Sequence, residues 1–337
     1  MRTIEWGASP GIFPRQLLLA AMISTAVSVF SATTSAAQDY PDRPIRVIVP
    51  YPAGGTTDVL ARTVGEKLTE AWGQTIIVDN RSGAGGLIGT DFAAKAAPDG
   101  YTLILGNNQT HSANAALFDK VPFDLLRDFQ PVAMVATSRH VIVVPANSPA
   151  KTIRELVSLG QGGKKLSFAS SSAGSASHLI SEMLRIKNTM DAVHVPYRGA
   201  NPAVTDLLGG QVDFMTATYA AVSQFIESGK LRALAIGGEG RISRIPNVPT
   251  LKEAGFDYLN ADSWFAYYAP AATPREIVDK LNGEINRALR NAGVVERLRG
   301  AGYEPLVMNV EEFNRFHRSE FSRWGEMVRA VGVKLNQ

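Results

Sequence analysis

IRVIVPYPAGGTTDVLARTVGEKLTEAW, residues 45–72, decides the fold. It opens on a short apolar run at 45–49, passes through a loop of glycines and hydroxyls, and continues into a helical pattern. In that pattern Leu60, Val64, Leu68 and Trp72 recur at a spacing of four on one face. Strand, glycine loop and helix in this order are half of a βαβ unit. The alternation repeats outward. Strands are predicted at 75–78, 101–105, 132–135, 141–144, 166–169, 192–195, 212–215, 231–236 and 264–268, with helices between most of them, one at 87–97. Such alternation predicts an α/β protein with mainly parallel sheets. Thr152 with Glu155, Thr250 with Glu253 and Thr273 with Glu276 have the spacing of a capping box, and Pro274 suits a first helical position. Gly210 and Gly229 read as left-handed helix ends. Phe313, Phe316, Phe321, Trp324 and Val328 read as the buried face of a C-terminal helix.

The chain has 337 residues, and about 100–200 per domain is usual, so two domains are expected. The strands at 141–144 and 264–268 bracket a self-sufficient α/β block and read as two crossovers. The expected lobes are residues 38–141 with 262–337, and 142–261, with a cleft at the hinge where a small ligand fits. Residues 1–37 read as a secretory signal. Arg2 and Arg15 precede an apolar run at 17–30, too short for a membrane-spanning helix of about 20 residues, and small residues lead to a cut after Ala37. The mature form is expected to be exported, soluble and monomeric.

Hydrophobic residues at 45% supply a large core. The formal charge of +3 comes without a basic run, which argues against nucleic-acid binding. With no cysteine, disulfides, thiolate nucleophiles and Cys-held metals are excluded.

Three loops follow a strand and open a helix: 50–58, 80–86 and 170–178. A helix N-terminus offers free N–H groups and about half a positive charge, glycine admits a ligand oxygen to the backbone, and hydroxyls add donors. Three such loops at strand ends suit an anion. Catalytic patterns fit poorly. There is no phosphate-loop signature, no HExxH and no GxSxG, so neither a metal nor a cofactor is expected, and a serine hydrolase using residues 170–177 is the weaker alternative. His111 and His178 lie beside the cleft loops, unlike His140, His194 and His317. Arg81 either pairs with a carboxylate or faces solvent. Asp58 caps its helix or meets a ligand amine.

The motifs VPYPAGGTTDVLAR (49–62), NRSGAGGLIGT (80–90), PDGYTLILG (98–106), HSANAALF (111–118), FASSSAGSASHLISEM (168–183), VPYRGANPAVTDLLGGQVDFM (195–215) and IPNVPTLKEAGF (245–256) stand in order along the chain. From about residue 40 to the C-terminus the sequence resembles the Bug-type (TctC-like) substrate-binding proteins of tripartite tricarboxylate transporters. The resemblance implies a two-lobed, type II Venus-flytrap fold of the periplasmic-binding-protein kind, without catalysis. It implies that Tyr51, Ala53, Gly54, Thr56, Thr57 and Asp58, with Ser82, Gly83, Ala84, Gly85 and Gly86, clasp one carboxylate. Asn107, Thr110, His111, Ser171, Ser172, Ser175, His178, Tyr197, Arg198, Thr216, Ala217 and Thr218 would then face the rest of the ligand. The family usually carries an Asp after GQVDFM, where this chain has Thr216-Ala217-Thr218. That departure disfavours an amino-acid ligand and favours an apolar or aromatic body, which Phe214 and Tyr219 would tolerate. The expected function is capture of a di-, tri- or aromatic carboxylate for a membrane permease, or, as the alternative, presentation to a sensor kinase.

Overall fold

A computed structural model describes residues 1–5, 7, 40–259 and 262–335, and the signal run and its cleavage site lie outside the described residues. Residues Arg43–Gln337 form one compact unit. Its strands in chain order are β1 (Ile45–Val49), β2 (Ile76–Asn80), β3 (Thr102–Asn107), β4 (Phe129–Ser138), β5 (His140–Pro145), β6 (Leu166–Ser170), β7 (Ala192–Pro196), β8 (Phe214–Thr218), β9 (Leu231–Ile236), β10 (Ser263–Pro270) and β11 (Glu304–Pro305). The helices are α1 (Thr56–Trp72), α2 (Leu87–Ala94), α3 (Asn114–Leu117), α4 (Ile153–Gln161), α5 (Ala176–Lys187), α6 (Ala200–Leu208), α7 (Tyr219–Glu227), α8 (Arg275–Arg290), α9 (Ala292–Gly300) and α10 (Val310–Val331). Every predicted strand is present, those at 45–49 and 231–236 with the predicted ends and the others with displaced ends. Among the described residues no helix is long and apolar enough to cross a membrane.

The strands form two sheets, β11-β4-β10-β3-β1-β2 and β7-β6-β8-β5-β9. In the first, β1 lies parallel to β2 and β3, with Val47 level with Val78 and Leu103. In the second, β6 lies parallel to β7 and β8. The remaining pairs are antiparallel, so both sheets are mixed rather than mainly parallel. The chain's path explains this. It leaves the first sheet at Arg139 and returns between Ile236 and Ser263. A strand that begins at the crossing, as β5 and β10 do, points away from it. The strands of the βα units end there instead.

Central strands are buried throughout. Every residue of β5 and β10 is covered, which is why they read as unbroken apolar runs. One apolar cluster joins Ile48, Ile104 and Trp264 of the first sheet to Ile142, Phe168 and Phe214 of the second. Helix α10 seals it with Phe313, Trp324 and Val328, while Phe316 and Phe321 are only partly covered. Trp264 and Trp324 both donate their indole N–H to the buried Glu320 carboxylate, at 2.9 and 3.0 Å.

Local signals held where the backbone was free to follow them. Leu60, Val64 and Leu68 are fully buried on α1. Thr152 caps α4, and Gly210 and Gly229 are left-handed. Thr250 and Glu253 make both capping-box hydrogen bonds, but around a turn rather than a helix. Thr273 turns inward and donates to the Pro270 carbonyl (2.7 Å), so α8 starts one residue after Pro274 without the expected box.

Candidate functional site

The parallel strands end on a common cleft, and the loops that follow them carry helix N-termini from both lobes. Between them lies a cavity of about 150 Å³, below the ~300–1,000 Å³ of a drug-sized site. The first lobe contributes Tyr51, Ala53, Thr56, Thr57 and Asn107 to its wall, and the second contributes Ser171, Ser175, Arg198, Ala217 and Thr218. These ten are residues that sequence reasoning singled out. The same wall includes Pro52, Asn108, Gln109 and Asn201, which lie in or beside loops singled out from the sequence, and His140, Met215, Ser263 and Phe265, which sequence reasoning missed. The four missed residues all lie in strands, His140 in β5, Met215 in β8, and Ser263 and Phe265 in β10. No loop pattern marks such positions in the sequence.

The loop after β1 is held from behind. Asp58 is 2% exposed. Its carboxylate accepts from the Gly54 amide (2.9 Å), Arg62 Nε (2.9 Å) and Asn80 Nδ2 (3.0 Å). Burial pushes its pKa up, and these hydrogen bonds outweigh that and hold it below the usual value. Asp58 therefore braces the loop and does not line the cavity. Gly54 takes a left-handed φ of 76° to make the turn. Helix α1 begins after Gly55, whose carbonyl accepts from Val59 N, so the first N–H groups, including Thr56 and Thr57, have no partner within the helix.

The loop after β6 is a hydroxyl network. Ser175 caps α5 by accepting from the His178 amide, and donates to the Ser172 carbonyl (2.7 Å). The Ser171 amide donates to Ser177 Oγ (3.0 Å). Behind it His178 and His194 stack with ring centroids 3.7 Å apart. His178 Nδ1 accepts from the Gly174 amide (3.0 Å). Ser170 Oγ lies 2.6 Å from His194 Nε2 and 2.9 Å from the Ser172 carbonyl. Ser170 is fully buried and does not line the cavity, so no substrate reaches it there. The geometry gives no activated nucleophile here.

Burial pushes His178 down to about 4 and His194 to about 3, His194 being lowered further by the charge of His178. The unfolded chain titrates its histidines near ~6.5. The folded form thus binds fewer protons, its advantage is complete above about pH 6.5, and it is lost as pH falls toward the folded values. Thermal unfolding is expected to drop progressively from pH 6.5 to 4. His194→Phe, which keeps the stack, is expected to flatten part of that slope, and an unchanged slope would contradict the assignment.

Several expected residues face elsewhere. His111 is fully buried, flat against Tyr268 at 3.9 Å, and Thr110 Oγ1 lies beside its Nδ1. Burial drives its pKa well below the usual value. Thr216 accepts from Ser181 Oγ (2.8 Å) inside the second lobe. Tyr197 donates to Asp206 (2.7 Å). Ser172 hydrogen-bonds Gln109. The loop of Ser82, Gly83, Ala84, Gly85 and Gly86 packs on the turn after β3 rather than lining the cavity. A Cβ on Gly86 would stand 2.5 Å from Thr110 Cγ2, and Asn114 Nδ2 donates to the Gly85 carbonyl. Arg81 pairs with Asp79 (2.9 Å) and lies over the Phe92 ring. Phe214 stacks on Phe168 in the core and Tyr219 donates to Glu227, so neither supplies a wall for a ligand body.

The electrostatics of the wall are one-sided. Among the described residues it contains no Asp or Glu, and Arg198 is its only formally charged side chain. N-termini of α1, α5, α6 and α7 border it through Thr56, Ala176, Ala200 and Thr218. Such a wall is electrostatically suited to a small anion.

A two-lobed α/β frame with its cavity at the strand ends is shared by the solved periplasmic binding protein BugD and by a solved periplasmic transporter. The family described as "Tripartite tricarboxylate transporter family receptor" (TctC) matches residues 60–333, and the chain belongs to it. Protein BugT of Bordetella pertussis is 38% identical over 316 residues, 92% of this chain and 97% of BugT. Rpa4515 of R. palustris, solved with adipate, superposes with a TM-score of 0.84 at 32% identity, covering 88% of this chain and 99% of that one. MatC of Rhodopseudomonas palustris, solved with bound malate, gives 0.80 at 34% identity, covering 86% and 100%.

Proposed function

We propose that this chain is a periplasmic solute-binding protein that captures a short dicarboxylate between its lobes and presents it to membrane permease subunits. The observation that carries the reading is the cavity wall: four helix N-termini and Arg198 meet there, and no carboxylate does. Each N-terminus carries about half a positive charge, and its free N–H groups point outward. An ammonium group entering the same space finds no anion. Pro52, Pro202, Met215 and Phe265 give the wall an apolar stretch for a methylene chain. A volume near 150 Å³ favours a small acid over a large aromatic one. Adipate and malate, held by two solved relatives, are dianions of that class.

The lobes would be residues 38–141 with 262–337, and 142–261, the first 37 residues being removed on export. A ligand touched by both lobes favours the closed form by its differential contacts, which is the signal a permease reads. The test is thermal unfolding of residues 38–337, stripped of carried-over ligand, against mono-, di- and tricarboxylates. At 100 times its Kd a ligand adds about 2.7 kcal/mol, read as a rise of several degrees. A rise for short dicarboxylates is expected, and none for any carboxylate would overturn the reading. Arg198 is exposed, so Arg198→Ala is expected to weaken a dicarboxylate only about tenfold, with a smaller effect in high salt. Calorimetry at two salt concentrations checks this.

A further inference from the structure

Gln109 opens the wide turn Gln109–Ala113 after β3 and is 2% exposed. Its Oε1 accepts from the Ser172 hydroxyl (2.9 Å) and lies 3.1 Å from the Tyr51 hydroxyl, whose single proton it shares with Asn107 Oδ1, also at 3.1 Å. Its Nε2 donates to the Ala173 carbonyl (3.0 Å). A carbonyl oxygen only accepts, so the Ala173 contact fixes which way the amide points. Tyr51 belongs to the lobe built on the first sheet, Ser172 and Ala173 to the lobe built on the second. One buried side chain thus ties the lobes together, through Ser172 and Ala173. The glycine loop after β2 makes room for it. A Cβ on Gly85 would stand 3.1 Å from Gln109 Nε2, and Gly85 adopts a left-handed φ of 62°. A second bond across the cleft, from Asn201 Nδ2 to the Gly54 carbonyl (3.2 Å), is exposed. Hydrogen bonds shielded from water hold more strongly than such exposed ones.

We infer that Gln109 is an interlobe latch, a positioning residue that stabilises the closed form through protein groups alone. It sets the closed fraction, and so the apparent affinity, without choosing among ligands. Apparent Kd is the intrinsic value divided by the competent fraction. The inference deepens the proposed capture between lobes and rests on it. Its first test needs no ligand.

The chain has no cysteine, so Ala97→Cys and Lys165→Cys, exposed and one in each lobe, accept spin labels uniquely. In the ligand-free protein, Gln109→Met is expected to move the interlobe distance distribution toward longer values. Gln109→Asn, one methylene too short to span the cleft, is expected to do the same and serves if the Met variant fails to fold. Adipate and malate are then the probes for affinity. Each is expected to weaken by the same factor, about tenfold, through faster dissociation. An unchanged ligand-free distribution overturns the latch. So does an affinity loss differing more than about threefold between the two acids, which would make Gln109 a ligand contact. If neither acid binds the parent chain, the spin-label result alone decides the latch, while the proposed function fails separately.

Discussion

Ala217→Asp is expected to reduce dicarboxylate affinity by two orders of magnitude or more. Ala217 lies in β8, is 2% exposed and lines the cavity. A carboxylate there would stand on the order of 5 Å from the bound dianion. At an effective dielectric constant near 20 that repulsion is about 3 kcal/mol for each pair of charges, or roughly 200-fold. Ala217→Asn, similar in size but neutral, separates charge from bulk and is expected to lose far less. Burial raises the pKa of a carboxyl group, so the Asp variant should regain affinity as the pH is lowered and the group takes up its proton. Calorimetric titration of both variants measures this. Equal losses in Asp and Asn would mean that bulk, not charge, governs the site.

Gly106→Ala is expected to cost about 3 kcal/mol of stability or more, a fall in melting temperature of roughly 6–10 °C. The backbone is not the reason, since Gly106 sits in β3 with an ordinary strand conformation. Its added Cβ would lie 2.1 Å from His111 Nδ1 and 2.4 Å from Cε1. The ring cannot retreat. Tyr268 stacks on it at 3.9 Å and Phe129 meets its edge at 4.9 Å, both buried. The His111 carbonyl is also tied down, accepting from His317 Nε2 at 2.8 Å. Thermal unfolding tests the size of the loss. Removing the obstacle in Gly106→Ala/His111→Ala should make the double variant more stable than the sum of the two single losses. A single variant within 1 kcal/mol of the parent would contradict the packing described.

These residues also show what a sequence can disclose. Strand, glycine loop and helix were legible because their signals are local: the IRVIV run, the spacing of Leu60, Val64 and Leu68, the Thr152 cap. Strand direction was not, because whether β5 and β10 run with or against their neighbours depends on where the chain crosses between sheets. The loops at 50–58, 80–86 and 170–178 looked alike. Glycine is demanded equally by close approach of a ligand and close approach of another loop, and only the fold shows that Gly85 and Gly86 serve Gln109 and Thr110. His111 and His178 sit beside cleft loops in sequence, yet their rings turn inward, a choice made by tertiary packing. Gln109 carries no periodicity or charge that marks it, and its three partners are 58, 63 and 64 residues away.

The most direct test of an anion-specific cavity is calorimetric titration of stripped residues 38–337 with adipate, its neutral diamide and hexane-1,6-diamine. The three share one chain length and differ in charge. Saturable binding of one adipate, with no heat of binding for the diamide or the diamine, is the expected result. Binding of the diamide or the diamine as tight as that of adipate would contradict the reading of the wall.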